Sequence, residues 1–233
     1  MTDAEFIFGP MQQFQGWCLP AAAHVTAHLF RLLPGGSCAF EIGVYMGKYL
    51  SLLYHLTGRA VGVDTFQYSD QQAVLEQFQK TFEGAPGLTL VRSDSQVLTP
   101  ADVEAMLGCR PMFISVDGDH TAKPVSKDMH LAESSLGDRG IVALDDFYNR
   151  QAIGVTDGFF RYVHEGGTLV PFAFVQNKLF LARPEDHDTY LDAALEFGER
   201  STLPEAAAFR ELKQTSGRHH VVQELCGREV VLI

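Results

Sequence analysis

Acidic side chains directly follow two apolar segments of this sequence, and they are its most informative chemical signal. Asp117, Asp119 and His120 come after one segment, and Asp145 and Asp146 come after another. Carboxylates packed against one another repel strongly unless something compensates their charge. A hard divalent cation such as Mg²⁺, which prefers oxygen ligands, removes that repulsion. If the two segments end side by side, a divalent-cation site among these carboxylates is predicted.

His120 adds a group that can exchange a proton near neutral pH. It lies three residues after Asp117, and a cation beside it would lower the pKa of an oxygen nucleophile bound there. We therefore interpret His120 as a catalytic general base for a reaction at a hydroxyl. In the alternative, the carboxylates cap loops and the histidine is an ordinary loop residue. This alternative explains any one of these residues, but a shared site is favoured for all of them together.

A glycine-containing turn marks a second candidate site. Glu41, Gly43, Tyr45 and Gly47 lie where an apolar segment passes into a helix-period segment. Glycine lets the backbone approach a ligand closely, and a helix N-terminus favours an anionic group. The spacing departs from the G-x-G-x-x-G of dinucleotide-binding proteins and so argues against NAD. A tight strand–helix turn with no ligand is the alternative.

Two further positions extend this candidate nucleoside site. Asp64 ends a short apolar segment, where a carboxylate can accept hydrogen bonds from both ribose hydroxyls. Asp94 ends the next segment and either accepts from an adenine amino group or caps a helix. The predicted cofactor-binding residues are Glu41, Gly43, Tyr45, Gly47, Asp64, Ser93, Asp94 and Asp117.

Alternating strands and helices must position these residues. Short apolar segments predict strands at 38–42, 60–64, 88–92, 112–116 and 141–144, and helix-period segments predict helices at 47–56, 70–82, 101–107, 125–136 and 153–163. This alternation predicts an α/β fold with a doubly wound, mainly parallel sheet. In such a sheet, ligands bind outside the carboxyl ends of the strands.

The pattern changes after the last of these helices. The apolar segments 169–175 and 178–182 are joined by Gln176 and Asn177, a spacing short enough only for an antiparallel hairpin. We predict a Rossmann-like, mostly parallel seven-stranded sheet that is closed by this hairpin and covered by helices on both faces. The whole chain, 1–233, is predicted to be one domain.

Three parts of that domain are distinguished. Residues 1–33 are predicted to form an N-terminal cap, residues 38–183 the catalytic core, and residues 184–233 a helical and β extension. The cap carries large aromatic side chains, for which core packing is favoured over a lid function: Phe6, Phe8, Phe14 and Trp17.

Composition limits the partners and the compartment. The formal net charge of -11 argues against nucleic acid as a substrate, because an acidic surface repels phosphate backbones. No apolar stretch approaches the roughly 20 residues that span a bilayer, and the N-terminus lacks the basic region of a signal peptide. The four cysteines form no C-x-x-C pair, which predicts reduced thiols in a cytoplasmic protein. The aromatic cap suggests a homodimer or a higher homo-oligomer.

Four segments within the predicted core carry a family resemblance: Phe40–Gly47 (FEIGVYMG), Val116–His120 (VDGDH), Gly140–Asp146 (GIVALDD) and Asn177–Leu181 (NKLFL). Together they resemble the class I S-adenosylmethionine-dependent O-methyltransferases. The macrocin and mycinamicin sugar O-methyltransferases are the most similar group, and catechol O-methyltransferase is a more distant relative.

The resemblance implies S-adenosylmethionine as the methyl donor and Mg²⁺ bound by Asp117, Asp145 and Asp146. It also implies that His120 is the base, since the macrolide-sugar enzymes carry a histidine at the matching place. The acidic pair differs from both groups: the macrolide-sugar enzymes have Glu-Asp and the catechol enzyme has Asp-Asn where this chain has Asp145-Asp146.

The sequence therefore predicts a metal-dependent O-methyltransferase that acts on a hydroxyl of a small molecule such as a sugar or a natural product. Tyr148, Asn149 and Arg150 follow the acidic pair, where contacts to the acceptor would fall. Two alternatives stay open: an NAD-dependent Rossmann oxidoreductase, and a non-catalytic subunit that binds S-adenosylmethionine.

Overall fold

The computed structural model describes all residues, 1–233, and contains nine α-helices and nine β-strands. The strands are β1 (Ala39–Ile42), β2 (Ala60–Asp64), β3 (Leu88–Arg92), β4 (Phe113–Val116), β5 (Ile141–Leu144), β6 (Val170–Val175), β7 (Lys178–Ala182), β8 (Val222–Leu225) and β9 (Arg228–Leu232). The helices are α1 (Asp3–Phe8), α2 (Pro20–Phe30), α3 (Lys48–Thr57), α4 (Gln71–Thr81), α5 (Pro100–Leu107), α6 (Ala122–Ser135), α7 (Ile153–His164), α8 (His187–Arg200) and α9 (Pro204–Ser216).

All nine strands form one sheet in the order β3-β2-β1-β4-β5-β7-β6-β9-β8. The strands from β3 to β5 are parallel to one another, and β7 inserts antiparallel between β5 and β6. This confirms the predicted Rossmann-like sheet closed by an antiparallel hairpin. Its physical basis is that helices separate the parallel strands, whereas the short Gln176-Asn177 link permits only a hairpin.

The sheet has nine strands, and the expectation of seven is wrong. The final segment folds as the hairpin β8–β9, whose turn holds Cys226 and Gly227 with φ of 53° and 74°. Positive φ at both turn positions matches the twist of the flanking strands. Strand β9 then pairs in parallel with β6 and extends the sheet at that edge. The sequence does carry a signal for this hairpin, because only Cys226 and Gly227 separate the segments 222–225 and 228–232.

Two apolar cores lie on opposite faces of the sheet. One core joins the sheet to α1–α4 and α8, and the other joins it to α5, α6 and α7. Successive residues of a strand point to opposite faces, so that Phe113 of β4 belongs to the first core and Ile114 to the second. The central strands are therefore buried on both sides, as their continuous apolar sequences predict.

The N-terminal aromatic residues divide between the core and the surface. Phe6 and Phe14 are each 1% exposed and pack in the first core, which confirms core packing for these two. Phe8 is 60% exposed and Trp17 is 84% exposed. The Trp17 ring stacks on Tyr45 with centroids 5.8 Å apart, beside the glycine turn. Helix α1, which the sequence analysis did not predict, begins at a capping box formed by Thr2 and Glu5.

The structure joins Cys38 and Cys109 in a disulfide, which contradicts the expectation that all four cysteines are reduced. The two residues lie 71 positions apart in the sequence, and they meet because β1 begins next to the residues that follow α5. Cysteine spacing along the chain carries no signal for a pair that only the fold brings together. Cys18 and Cys226 are free.

None of the nine helices combines the length and the apolar composition that crossing a membrane requires.

Candidate active site

A cavity of about 1010 Å³ opens at the carboxyl ends of the central strands. Strand β1 lies between β2 and β4, so the chain leaves β1 in one direction and later returns to its other side. This reversal is the switch point at which open α/β sheets bind ligands. All the predicted cofactor-binding, metal-binding and catalytic residues except Gly47 line this cavity. Of the three residues expected to contact the acceptor, Asn149 lines it, whereas Tyr148 and Arg150 do not.

The first turn of the cavity wall depends on Gly43. Its φ is +85°, and a Cβ atom added there would lie 1.8 Å from the carbonyl oxygen of Asp117. The glycine is therefore required by the close approach of the ends of β1 and β4, in addition to any ligand. Gly47 has φ +80°, and its Cβ would lie 2.7 Å from Phe78 of α4. Packing of α4 thus explains Gly47, which lies outside the cavity lining.

Asp64 holds the glycine turn in place. Its Oδ2 accepts hydrogen bonds of 2.8 Å from the backbone N–H groups of Val44 and Tyr45. Its Oδ1 accepts one of 2.6 Å from the N–H of Phe66. The carboxylate therefore fixes the turn that borders the cavity. Asp64 also lines the cavity, so its predicted contact to a ribose stays a prediction.

The residues after β3 form another part of the wall. Asp94 accepts from the N–H of Gln96 and caps the short 3₁₀ turn Ser95–Val97, which is the capping role that the sequence left open. The Gln96 amide donates to Asp128 Oδ1 at 2.8 Å and to the Pro124 carbonyl at 3.3 Å. Because its nitrogen faces these two acceptors, Gln96 is held against α6.

Asp117, His120 and Asp146 converge at the ends of β4 and β5. His120 Nε2 lies 3.8 Å from Asp117 Oδ1 and 3.4 Å from Asp146 Oδ2. One ligand atom from each of the three residues lies within 4.8 Å of the other two. Since β4 and β5 are adjacent and parallel, the carboxyl ends of both strands meet at one edge, as the sequence analysis required.

The backbone and two amides orient Asp146. This residue has φ 57°, an uncommon left-handed conformation that Asp tolerates better than most residues. Its Oδ1 accepts from Asn149 Nδ2 at 2.7 Å and from Asn177 Nδ2 at 2.8 Å. With Oδ1 occupied, Oδ2 is the oxygen that faces His120.

Asp145 has a different partner from the other two predicted metal ligands. Its Oδ1 lies 3.0 Å from Nζ of Lys178, which is the first residue of β7. The Lys178 ammonium also lies 4.1 Å from the centroid of the Tyr49 ring. Asp145 lines the cavity, but it is not one of the three residues whose ligand atoms converge. Its role as a metal ligand stays a prediction.

Burial and mutual repulsion shift the carboxyl groups of the site. Burial and then the charge of Asp117 raise the pKa of Glu41, which is 1% exposed. Burial and then the charge of Asp145 raise the pKa of Asp117. The neighbouring Asp117 carboxylate, whose Oδ1 lies 3.8 Å from Nε2, raises the pKa of His120 against the opposing effect of desolvation. Such shifts, clustered at one cavity, are typical of functional sites.

Lys178 and Asn177 are site residues whose roles the sequence analysis did not identify. Strand pairing explains their position: β5 and β7 pair antiparallel, with Leu144 opposite Leu179. The preceding residues of β7 therefore lie beside the residues that follow β5. A lysine and an asparagine at the start of this strand can reach the acidic pair, which becomes evident only once the pairing register is known.

The donor set is compatible with a small divalent cation. Two carboxylate oxygens and an imidazole nitrogen converge, and Asn149 and Asn177 already orient the Asp146 carboxylate. Hard cations such as Mg²⁺ take carboxylate oxygens and keep several water or substrate ligands, so that a few protein ligands suffice. Asp117 and Asp146 fit that requirement, with His120 at the border of the site.

Comparison with known proteins assigns the fold. Residues 40–147 match a family described as a methyltransferase domain. No curated protein matches the sequence significantly. The apo structure of CalS11, a TDP-rhamnose 3'-O-methyltransferase in calicheamicin biosynthesis, is 18% identical, with a TM-score of 0.52 over 68% of this chain and 75% of CalS11.

Two other solved structures are similar. MycE, a methyltransferase of the mycinamycin pathway in complex with Mg, SAH and mycinamycin VI, is 13% identical, with a TM-score of 0.55 over 77% of this chain and 54% of MycE. A precorrin-6y C5,15-methyltransferase from Geobacter metallireducens is 14% identical, with a TM-score of 0.50 over 73% of this chain and 91% of that chain.

These likenesses are to the fold, and together with the domain match they confirm the resemblance found in the sequence. The chain therefore has the fold of the class I methyltransferases, and its residues 40–147 match a methyltransferase domain.

Proposed function

We propose that this protein transfers the sulfonium methyl group of S-adenosylmethionine to a hydroxyl of a small molecule, with the help of a divalent cation. The observation that carries the proposal is the convergence of Asp117, His120 and Asp146 in the same cavity as the glycine turn. A methyl donor and a deprotonated oxygen must meet in line for this displacement, and one cavity that holds both sites provides the required proximity.

The donor side of the cavity is formed by the ends of β1, β2 and β3. Gly43 borders the cavity at the turn after β1, and Asp64 and Asp94, which follow β2 and β3 on one side of that turn, also line it. The buried Glu41 has an Oε2 atom with no hydrogen-bond partner in the protein. A buried acceptor of this kind requires a donor, and the ammonium group of an amino-acid moiety would supply one.

The acceptor side lies at the ends of β4 and β5. His120 is 45% exposed at its side chain and can reach a bound hydroxyl, whose proton it would accept as the oxygen attacks the methyl group. Asp117 and Asp146 would hold a divalent cation, which lowers the pKa of a coordinated hydroxyl when it is bound. Asn149 and Gln151 line the cavity on this side and are candidates for contacts to the acceptor.

The relatives and the charge of the protein narrow the acceptor class. CalS11 and MycE are methyltransferases of natural-product pathways, and CalS11 acts on a TDP-linked sugar. This chain has a net charge of -11, which disfavours nucleic acid as the acceptor. We infer a small hydroxylated molecule, such as a sugar or a natural product. A homo-oligomeric state stays a prediction.

Calorimetry with S-adenosylhomocysteine and with NADH tests the donor site. We expect saturable binding of S-adenosylhomocysteine and none of NADH. Binding of NADH alone would favour the oxidoreductase that the sequence left open.

Methyl transfer to a panel of hydroxylated sugars and aglycones, measured with labelled S-adenosylmethionine, tests the reaction. EDTA is expected to abolish turnover and Mg²⁺ to restore it. Activity that persists in EDTA would reject the cation but keep the methyl transfer. If every acceptor fails while S-adenosylhomocysteine still binds, the non-catalytic subunit becomes the better interpretation.

A further inference from the structure

A buried lysine lies within the acidic site and has no counterpart in the chemistry described so far. Lys178 is 2% exposed, although lysine is almost never fully buried without a partner. Its Nζ lies 3.0 Å from Asp145 Oδ1 and 4.1 Å from the centre of the Tyr49 ring. Lys178 also lines the cavity, so it is part of the wall that surrounds the carboxylates.

The ion pair between Lys178 and Asp145 affects which way the Asp145 carboxylate faces. Asp145 and Asp146 are adjacent, yet Asp145 faces Lys178, whereas Asp146 is turned by its positive φ and by two asparagine amides toward His120. The Asp145 carboxylate is thus paired with the Lys178 ammonium, whereas the Asp146 carboxylate faces His120. A carboxylate whose charge is already neutralised at 3.0 Å contributes little to the attraction of a second cation.

We propose that Lys178 is a resident counter-cation that withdraws Asp145 from metal ligation, so that the divalent-cation site consists of Asp117 and Asp146. This inference rests on the proposed function and differs from the three-aspartate site that the family resemblance implies. Tyr49 supports the arrangement, because an aromatic face stabilises a desolvated ammonium. Its hydroxyl is fixed in turn by Thr26 at 2.7 Å.

The decisive variant replaces the ion pair by two neutral side chains, Asp145→Asn with Lys178→Met. The net charge of the site is unchanged, so that any loss of metal affinity reports the loss of a ligand. Mn²⁺ binding to the full chain, followed by the disappearance of the free Mn²⁺ signal in electron paramagnetic resonance, is the readout. We expect the double variant to bind Mn²⁺ within a few-fold of the wild type.

Two single variants calibrate that result. Asp146→Asn should weaken Mn²⁺ binding by about tenfold or more, since even outer partners of a metal site are worth about 10–100-fold. Asp119→Asn removes one charge from the neighbouring loop, where Asp119 instead accepts from Thr121, and should have a much smaller effect. A double variant that loses as much affinity as Asp146→Asn would overturn the proposal.

Lys178→Met alone tests whether Asp145 can bind the cation once its lysine partner is removed. It leaves Asp145 unpaired, so Mn²⁺ should bind at least about tenfold more tightly, given the strength of a nearby charge in a partly buried site. Added Mn²⁺ should also raise the melting temperature of this variant more than it raises that of the wild type. Lys178→Arg keeps the charge and should behave as the wild type does. Unchanged Mn²⁺ affinity in Lys178→Met would contradict the proposal.

The outcomes separate this inference from the proposed function. If the wild type binds no Mn²⁺, both the cation site and the proposed role of Lys178 are rejected. Binding of S-adenosylhomocysteine still tests the methyl-donor site in that case. If the wild type binds Mn²⁺ and the double variant does not, only the role of Lys178 is overturned. If Lys178→Met does not fold, the double variant decides alone.

Discussion

At the scale of single residues, the site is made of ordinary side chains in uncommon surroundings. His120 is a surface histidine by exposure, but two aspartates lie within 4 Å of its Nε2 atom. Asp146 is directed by its left-handed backbone and by Asn149 and Asn177. Asp146 is therefore oriented by amides that are not ligands of the proposed cation, which is a requirement for a preorganised site.

Replacing His120 by Ala tests the general base. The change removes the proton acceptor but leaves the glycine turn and Asp64 intact, so we expect S-adenosylhomocysteine to bind normally. Turnover should fall by about 10²- to 10⁴-fold, the usual contribution of a positioned base. Calorimetry and steady-state kinetics measure the two effects. His219→Ala, an exposed histidine far along the chain, is the matched control, and full activity of His120→Ala would remove this residue from the mechanism.

Gly43→Ala tests the contact between β1 and β4. The added Cβ would collide with the Asp117 carbonyl, and φ of +85° is unfavourable for alanine. Backbone strain and overpacking each cost about 1–3 kcal/mol. A lower melting temperature and weaker S-adenosylhomocysteine binding are both expected. Gly84→Ala is the control, because Gly84 also has a positive φ but has open space where the Cβ would lie. It measures the backbone strain without the collision. Equal effects of the two substitutions would show that the close approach is unimportant.

At the scale of elements, helix α7 connects the site to the second core. A Cβ added at Gly154 would lie 2.3 Å from the His120 carbonyl oxygen, so the first turn of α7 supports the loop that carries the base. Further along the helix, a Cβ at Gly158 would lie 2.5 Å from Val125 Cβ of α6. The loop after β4 is therefore held by the close packing of α6 and α7.

Gly158→Ala measures how tightly α6 and α7 pack. Alanine favours a helix by up to about 1 kcal/mol over glycine, but overpacking of a filled interface costs about 1–3 kcal/mol. We expect net destabilisation, detected as a lower midpoint in urea unfolding. Asp157→Ala on the exposed side of the same helix is the control. A more stable Gly158→Ala variant would mean that the helices separate easily and that α7 supports His120 only weakly.

At the scale of the whole molecule, one buried acid makes the free energy of unfolding depend on pH. Asp128 of α6 is 1% exposed, and burial raises its pKa from 3.8 to about 7. The folded state therefore binds this proton more tightly than the unfolded state. The associated stability is fully present at pH below about 4 and is lost as the pH rises through about 7.

Asp128→Asn should remove that dependence, because asparagine keeps an oxygen for Gln96 and carries no charge. We expect the wild type to melt only slightly below the variant at pH 4, where most of this stability is still present. At pH 8 the wild type should melt lower, by a margin that corresponds to a few kcal/mol at about 1.4 kcal/mol per pKa unit. Parallel melting curves at both pH values would show that Asp128 does not titrate in this range.

Some of this protein was determined by local sequence alone. Alternating apolar and helical segments specify the parallel sheet, and the two-residue link at Gln176-Asn177 specifies the closing hairpin. The meeting of Asp117 with Asp146 follows from this sheet once β4 and β5 are neighbours, as the structure has them. These features depend on spacing and side-chain period, which are properties of short stretches of chain.

Only the tertiary structure decided the rest. The pairing of Lys178 with Asp145 depends on the register between β5 and β7, and the Cys38–Cys109 disulfide depends on where α5 ends. The need for glycine at position 43 comes from an Asp117 carbonyl that is distant in sequence. Contacts between segments far apart in the chain are set by packing in three dimensions, and no local pattern of residues encodes them.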